Sequence, residues 1–228
     1  MIEVQPFVFD FLRDLQANNN REWFHANKHR YDEARASFET FTGEFIKLVA
    51  SIDPGIGTPS VKDCIYRIFR DLRFTNDKTP YKPNFCCVAA LGGRKSRLPG
   101  YYISFEPDNC YFGGGIYCVS PEDLRRVRTE ICNFPEEFVA AVESPAFKER
   151  MWFFDDRLKV FPKGYETGFY GDKYLKYKMF AWATTYTDEQ CLSKELPAMI
   201  ANDIRIGKPV NDFLRRALDA PEEEHVDF

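Results

Sequence analysis

Apolar residues in the first quarter of the chain recur with the period of amphipathic helices. Residues 7–16 place their apolar side chains on one side, which predicts a short helix. From residue 31 to residue 52 apolar side chains recur three and four positions apart, which predicts a long helix that lays one aromatic stripe on the core. Three asparagines at 18–20 predict a break and an N-cap for the next helix, and residues 54–57 predict the end of the long one.

Alternation of apolar and polar residues predicts strands in the middle of the chain and later. It favours strands over residues 65–74 and 175–183, and a compact apolar run at 85–91 predicts a strand paired with the first of these. Three consecutive glycines at 113–115 predict either a bulge or bend in a strand or a close approach of backbone to a ligand. The hairpin signals are strands at 101–106 and 110–112 with a turn at 107–109.

Proline and capping residues mark the helices of the C-terminal half. Ser120 and Pro121 predict a helix that runs to about Cys132, because serine is a good N-cap and proline suits the first turn. Pro135 and Pro145 predict the starts of two shorter helices. The remaining signals are a cap at 187–190, a last helix near 209–218 and an acidic tail at 221–228 that is expected to fray.

These elements predict an α+β fold, because the strands cluster in the middle and do not alternate regularly with helices. We expect a central, mainly antiparallel sheet, with a long N-terminal helix and C-terminal helices packed around it. The length fits a single domain over residues 1–228. Its expected parts are helical 1–57, sheet-rich 61–119, helical with one further strand 120–220, and the acidic tail 221–228.

The distribution of charge is more informative than its sum. The net charge of −4 argues against a general nucleic-acid binder. Residues 61–100 nevertheless hold nine Lys/Arg and only three Asp. One basic patch on an acidic body is a directional electrostatic feature, which attracts anionic partners to one place.

Cysteine usage and hydropathy bear on the compartment. The seven cysteines form no C-x-x-C pair, their number is odd and no signal peptide is visible, so we expect reduced thiols in a cytoplasmic protein. No run approaches the ~20 apolar residues of a membrane span, so no membrane partner is expected.

The most unusual stretch is 66–82, which mixes three arginines, two lysines and two aspartates with aromatic and aliphatic residues. If it is a strand, Arg70 falls on an apolar face, and we expect it to be buried, multiply hydrogen-bonded and structural. Two interpretations of the other charges stay open. They form either a network of ion pairs that pins a loop to the sheet, or an anion site, since arginine presents a planar fork suited to carboxylate and phosphate.

The same stretch resembles a known family. The pattern Arg67-x-x-Arg70-Asp71-x-Arg73-Phe74-x-x-x-Lys78-x-Pro80-Tyr81 is similar to the signature R-x-x-R-D-x-R-F-x-x-x-K-x-P-Y of a mostly bacterial family of conserved hypothetical proteins, domain of unknown function 2461. Segments 18–24, 113–115 and 162–165 are also similar to that family, so the resemblance covers nearly the whole chain. It implies membership of the family and brings no activity, cofactor or substrate.

The residue types leave three hypotheses for function. In the first, a pocket binds a small phosphate- or carboxylate-bearing ligand through Arg67, Arg73, Lys78, Tyr81 and Lys82, and in an enzyme Asp71 or Asp77 would serve as base or metal ligand. In the second, the basic patch, with Arg94, Lys95 and Arg97, docks nucleic acid or a protein. In the third, the charges are purely structural. The acidic body favours the pocket over nucleic acid.

Metal chemistry has weaker support. Glu22, His25 and His29 share a helix face, but three such residues among exposed neighbours are expected to form a solvated surface, so no metal site is predicted. The residues point to no particular cofactor, reaction or oligomeric state.

Overall fold

The computed structural model describes residues 2–73 and 76–219, and it shows an α+β fold built on one five-stranded antiparallel sheet. The spatial order of the strands is β1-β2-β3-β5-β4, and every pairing in it is antiparallel. The predicted fold class is therefore confirmed. The strands are β1 Phe85–Ala89, β2 Gly100–Phe105, β3 Cys110–Ile116, β4 Trp152–Phe153 and β5 Phe180–Tyr186.

Helices pack around this sheet within the described residues. Their bounds are α1 Pro6–Ala17, α2 Arg21–Ala26, α3 Lys28–Ile52, α4 Val61–Cys64, α5 Pro121–Asn133, α6 Pro135–Val142, α7 Pro145–Arg150, α8 Asp188–Leu192 and α9 Leu196–Asp219. Short 3-10 helices occur at Pro54–Ile56, Gly93–Lys95 and Asp172–Lys176. In the part of the chain that is described, no helix has both the length and the apolar character needed to cross a membrane.

The N-terminal helices follow the predicted local rules. Asn20 caps α2, and its side chain accepts a hydrogen bond from the backbone N–H of Trp23. In α3 the predicted aromatic stripe is buried: the Phe38 ring lies 5.4 Å from that of Phe85 in β1. Stacking of this helix on the edge of the sheet fixes the position of its exposed face, which matters for the site below.

The predicted strand over 65–74 is wrong as a regular ladder. In its described part, residues 65–73, only isolated bridges form, between Ile65 and Cys87 and between Phe69 and Tyr81. The alternation itself is present, since Ile68 is buried while Phe69 is exposed. The segment leaves β1 after one bridge because it turns back and pairs with its own continuation. Residues 74 and 75 of the predicted strand and turn lie outside the described residues.

The alternating segment at 175–183 also differs from its prediction. Its first residues belong to the 3-10 helix, and β5 starts only at Phe180. The backbone just before the strand bonds the 156–158 segment: the N–H of Leu158 donates to Lys176 O and that of Lys178 donates to Asp156 O. Both β4 and β5 come from the part after residue 120, for which one strand was expected.

The last helix is longer than predicted, since α9 starts at Leu196 and continues through Pro209. A proline removes one helical donor, here the partner of the carbonyl of Arg205. Both residues lie on the exposed side of α9, where water can satisfy that carbonyl. The starts of α5, α6 and α7 and the capping box of α8 agree with their predictions. The tail at 221–228 lies outside the described residues.

Close packing against Trp182 of β5 explains why positions 114 and 207 are glycine. A Cβ on Gly114 in β3 would lie 2.4 Å from the indole, and one on Gly207 in α9 would lie 2.1 Å from it. The indole Nε1 donates to Asn211 Oδ1 at 3.0 Å. Gly114 therefore allows close packing inside the sheet, which is neither of the two alternatives given for the glycine run at 113–115.

Candidate functional site

A cleft of about 640 Å³ lies beside the β1 edge of the sheet, where four parts of the chain meet. These parts are the first turns of α3, the segment from Lys62 to Phe69, Lys82, and the 3-10 helix that contains Arg94. We call it the basic cleft. Its lining residues are Tyr31, Arg35, Lys62, Ile65, Tyr66, Arg67, Phe69, Lys82, Arg94 and Lys95.

The charge of the basic cleft has one sign. Six of its lining residues are lysines or arginines, and none of the described residues that line it is acidic or a histidine. The whole chain, by contrast, carries a net charge of −4. Cations gathered in this way raise the local concentration of anions.

Two of the arginines are fixed by backbone carbonyls. Arg35 Nη1 donates to the carbonyl of Tyr66 at 3.2 Å, and its Nε donates to Glu39 at 2.8 Å. Arg94 Nη1 donates to the carbonyls of Lys62 at 2.7 Å and Ile65 at 3.2 Å. A guanidinium carries five N–H donors, so each arginine keeps donors for a further acceptor.

The other cations have fewer protein partners. Among residues 2–73 and 76–219, Lys62, Arg67 and Lys95 form no side-chain hydrogen bond or ion pair. Lys82 Nζ lies 5.8 Å from the centre of the Tyr66 ring, a cation–π distance. None of these four cations therefore forms an ion pair with a described carboxylate, although the charge of Arg67 acts on Asp71 at longer range and helps to lower the pKa of that carboxyl.

Aromatic side chains are mixed with the cations. Phe69 is 49% exposed, although its ring is in contact with Phe24 at 6.1 Å and Tyr81 at 5.5 Å. Burial raises the pKa of Tyr31 and of Tyr66 above the ordinary value, so both hydroxyls remain protonated and able to donate at neutral pH.

The charged motif forms a closed loop next to the cleft. The N–H of Arg70 donates to Pro80 O at 3.0 Å and that of Lys82 donates to Ile68 O at 2.8 Å, which joins the two ends. We call residues 68–82 the motif loop. Across it the Arg70 guanidinium pairs with Asp77 and bonds Thr79 Oγ1 at 2.6 Å. Arg67, which precedes the loop, and Lys82, which ends it, both line the cleft.

Asn19, from the predicted break after α1, holds the base of the motif loop. Asn19 Nδ2 donates to Tyr81 O at 2.9 Å, and the N–H of Tyr81 donates to Asn19 Oδ1 at 3.1 Å. The Tyr81 ring stacks on Phe24 with 4.0 Å between centroids. Tyr81 is only 3% exposed, and it directly precedes Lys82, which lines the cleft.

The predicted site residues divide between the cleft and the loop. Arg67 and Lys82 line the cleft, whereas Arg73, Lys78 and Tyr81 are not among its lining residues. The side chain of Arg73 is 75% exposed and bonds both oxygens of Asp71 at 2.7 and 2.9 Å. Lys78 Nζ donates to Leu72 O at 3.1 Å.

Arg70 is less buried than expected. Its side chain is 27% exposed, and its partner Asp77 is 51% exposed. The bonds to two side chains agree with the expected multiple hydrogen bonding, but full burial is wrong, because the segment closes a surface loop instead of joining the sheet. Its geometry is that of a loop-closing residue.

Hydrogen bonds make Asp71 and Asp77 weak bases. The Arg73 guanidinium and its N–H hold the pKa of Asp71 well below the ordinary value. Bonds from the N–H and hydroxyl of Thr79, and then from Arg70, lower the pKa of Asp77 to about 2. A general base works best with a pKa near the working pH, so both carboxylates are poorly matched to proton abstraction at neutral pH.

Two cations of the basic cleft, Arg35 and Lys62, were not predicted as site residues. Arg35 lies one turn after Tyr31 on the long helix, and Lys62 precedes the motif, so no linear pattern joins them to Arg67. Arg94 and Lys95 were predicted only as part of the docking surface in the second hypothesis. Arg97, the third residue of that set, bonds Asp123 at 2.9 Å and does not line the cleft. The i, i+4 spacing of Tyr31 and Arg35 places both side chains on one face of α3, which was the available sequence signal that this helix contributes to the cleft.

A second cleft, of about 450 Å³, lies between α5, α6 and the irregular segment 164–169. None of its described lining residues is a cation, and one of them is Glu166. It includes Tyr165 of the segment 162–165 and does not fit an anion. The metal candidates Glu22, His25 and His29 are exposed, and no group of three or more His, Cys, Asp or Glu placed to hold a metal occurs in the described ranges.

The fold and the site define an α+β protein with a basic, aromatic-lined cleft at one edge of an antiparallel sheet. A family model described as "Conserved hypothetical protein (DUF2461)" matches residues 7–213, and the chain belongs to that family. No curated protein and no solved structure is significantly similar to it.

Proposed function

We propose that this protein binds a small molecule with several negatively charged groups, phosphates or carboxylates, in the basic cleft. The observation that carries the proposal is the presence of six cations and no acidic residue among the described lining residues. Like charges held together repel one another, and a multiply charged anion relieves that repulsion.

The geometry supports a small ligand. The volume of about 640 Å³ lies within the roughly 300–1,000 Å³ typical of small-molecule sites. Arg35 and Arg94 are held by backbone carbonyls before any ligand arrives, which reduces the entropy lost on binding. Arg67, Lys62 and Lys95 supply donors that have no acceptor in the described chain.

Binding, rather than catalysis, is the proposed activity. The lining supplies cations that stabilise anionic charge, but within the described part of the chain it supplies no carboxylate or imidazole for proton transfer. The proposal includes a cytoplasmic location, which is supported by the free thiols of all seven cysteines.

The test compares two arginines of the same motif by isothermal titration calorimetry. Wild type is titrated with phosphate, pyrophosphate, tripolyphosphate and citrate at fixed ionic strength. Arg67→Gln removes a lining charge, and the matched control Arg73→Gln removes the same charge outside the lining. One charge-assisted hydrogen bond contributes about 1.5–3 kcal/mol, so Arg67→Gln is expected to weaken the tightest of these anions at least tenfold and Arg73→Gln less than twofold.

Two results would overturn the proposal. One is the absence of binding to all four anions at millimolar concentration. The other is an equal loss of affinity in the two variants, which would assign the effect to overall charge rather than to the cleft. Thermal melts of both variants confirm that each remains folded.

Single-stranded nucleic acid is the second candidate, and one observation favours it. The basic cleft brings Arg94 and Lys95 beside Arg67 and an exposed ring, Phe69. Such binding would weaken steeply with salt, with a slope of about −0.7 per phosphate contacted. A salt titration with an oligonucleotide measures that slope, and affinity that does not increase with oligonucleotide length would exclude this candidate.

A further inference from the structure

An exposed aromatic ring in an otherwise cationic cleft calls for an explanation. A site for inorganic anions alone needs donors and gains nothing from an apolar face. Phe69 lines the basic cleft with 49% of its surface exposed, and the rings of Phe24 and Tyr81 support it from behind. An apolar side chain in such a position is suited to contact a ligand with a flat apolar face.

The backbone holds this ring next to a cation. Phe69 forms the bridge to Tyr81, and Arg67 lies two residues earlier, before a bend at Ile68. Arg67 and Phe69 are both exposed, whereas Ile68 between them is buried, so both side chains lie on the solvent side of the segment. Both residues line the cleft, so one ligand can contact both of them.

We propose that the ligand of the basic cleft is a nucleotide with two or more phosphates. Its phosphates bind the cations, and its base stacks on Phe69. Six cations match a chain of phosphates better than a single one. This inference rests on the proposed function, since it names the class of the anion. Any nucleobase can stack on an aromatic ring, so Phe69 favours a ligand that has a base but does not discriminate among the bases.

The test separates base from phosphate. Wild type is titrated by calorimetry with ATP, GTP, CTP and UTP, with tripolyphosphate, and with a dT12 oligonucleotide, all without added metal ion. At least one nucleotide is expected to bind tenfold or more tightly than tripolyphosphate. Phe69→Ala is expected to lower the affinity for that nucleotide to the affinity for tripolyphosphate. The affinity of Phe69→Ala for tripolyphosphate is expected to stay within twofold of the wild-type value. Phe69→Tyr keeps a ring and is expected to restore nucleotide binding.

Tyr117→Ala is the matched control, because it removes a 62% exposed aromatic ring that does not line the cleft. If tripolyphosphate binds as tightly as every nucleotide, or if Phe69→Ala changes nothing, the nucleotide inference fails and anion binding stands. If neither tripolyphosphate nor any nucleotide binds, the nucleotide inference fails, and anion binding fails with it when phosphate, pyrophosphate and citrate do not bind either. If dT12 binds more than tenfold tighter than every nucleotide, the occupant is a nucleic-acid strand and the inference is overturned.

Discussion

Asp53, which follows α3, provides the sharpest test of the packing described above. Its carboxylate is 1% exposed and accepts three hydrogen bonds, from Gly55 N at 3.0 Å, Tyr101 Oη at 2.9 Å and Arg215 Nη2 at 2.8 Å. Burial by itself would raise the pKa of Asp53, but the bonds and charge of Arg215, with those of Tyr101 and Gly55, outweigh burial and hold that pKa below its ordinary value. The ionised form is therefore the stabilising one.

Asp53→Asn removes the charge and keeps the shape. Removing one partner of a buried ion pair typically costs about 3–5 kcal/mol. Arg215 also bonds Asp212 at 3.1 Å and is 17% exposed, so it keeps part of its solvation and we expect the lower end, about 3 kcal/mol. In a chain of this length each kcal/mol shifts the melting temperature by about 2–4 °C, so Asp53→Asn is expected to melt about 6–12 °C lower at pH 7.

The pH dependence of stability tests independently whether the ionised form of Asp53 stabilises the fold. The pKa of Asp53 is lowered on folding, so its contribution is fully present above the unfolded value of about 3.9 and is lost as pH falls through the folded value. The difference in unfolding free energy between wild type and Asp53→Asn should therefore be constant from pH 7 to pH 5 and shrink below about pH 4. Differential scanning calorimetry at several pH values measures it.

Asp14→Asn is the control for this prediction. Asp14 pairs with Arg30 at 2.6 Å, but its side chain is 51% exposed, so the pair contributes at most about 1 kcal/mol. A melting temperature of Asp53→Asn within about 2 °C of wild type at pH 7 would refute the buried pair. A deficit that stays the same at pH 3 would refute the assignment of its effect to charge.

Two further predictions concern α9 and the motif loop. Gly207→Ala is expected to lower the melting temperature by several degrees, because its Cβ would lie 2.1 Å from Trp182. The control Gly43→Ala in α3, whose Cβ would lie 3.5 Å from its nearest neighbour, is expected to stabilise the protein by up to about 1 kcal/mol. Calorimetric shifts of the same sign in both variants would contradict this prediction. Arg70→Ala is expected to cost only about 1–2 kcal/mol, since its pair with Asp77 is partly exposed, and to weaken anion binding by loosening the loop; an unfolded protein by circular dichroism would show that Arg70 is a core residue after all.

The candidate site was only partly predictable. The sequence drew attention to Arg67 and Lys82 through the density of charge around them, and both line the cleft. It gave equal weight to Arg73, which is paired with Asp71 at the exposed part of the loop. Alternation along a segment assigns side chains to faces but does not show where the segment leaves the sheet. The sequence therefore could not distinguish the cations that line the cleft from those of the motif loop.

Local rules determined most of the helices and the hairpin. Ser120, Pro135 and Pro145 mark helix starts because a cap or a first-turn proline acts within one turn. The aromatic stripe of α3 follows from a period of 3.6 residues, and the turn between β2 and β3 follows from residues adjacent in sequence. Each of these signals lies within a few residues of the structure it predicts.

Only the tertiary structure decided the start of α9, the early end of the 65–74 pairing and the composition of the basic cleft. The helix continues through Pro209 because its exposed face can hydrate the carbonyl that proline leaves without a donor. Arg35 reaches the Tyr66 carbonyl across 31 residues, and Asn19 reaches the Tyr81 backbone across 62. Such contacts depend on how helices and sheet pack against each other, a long-range property that no window of sequence contains.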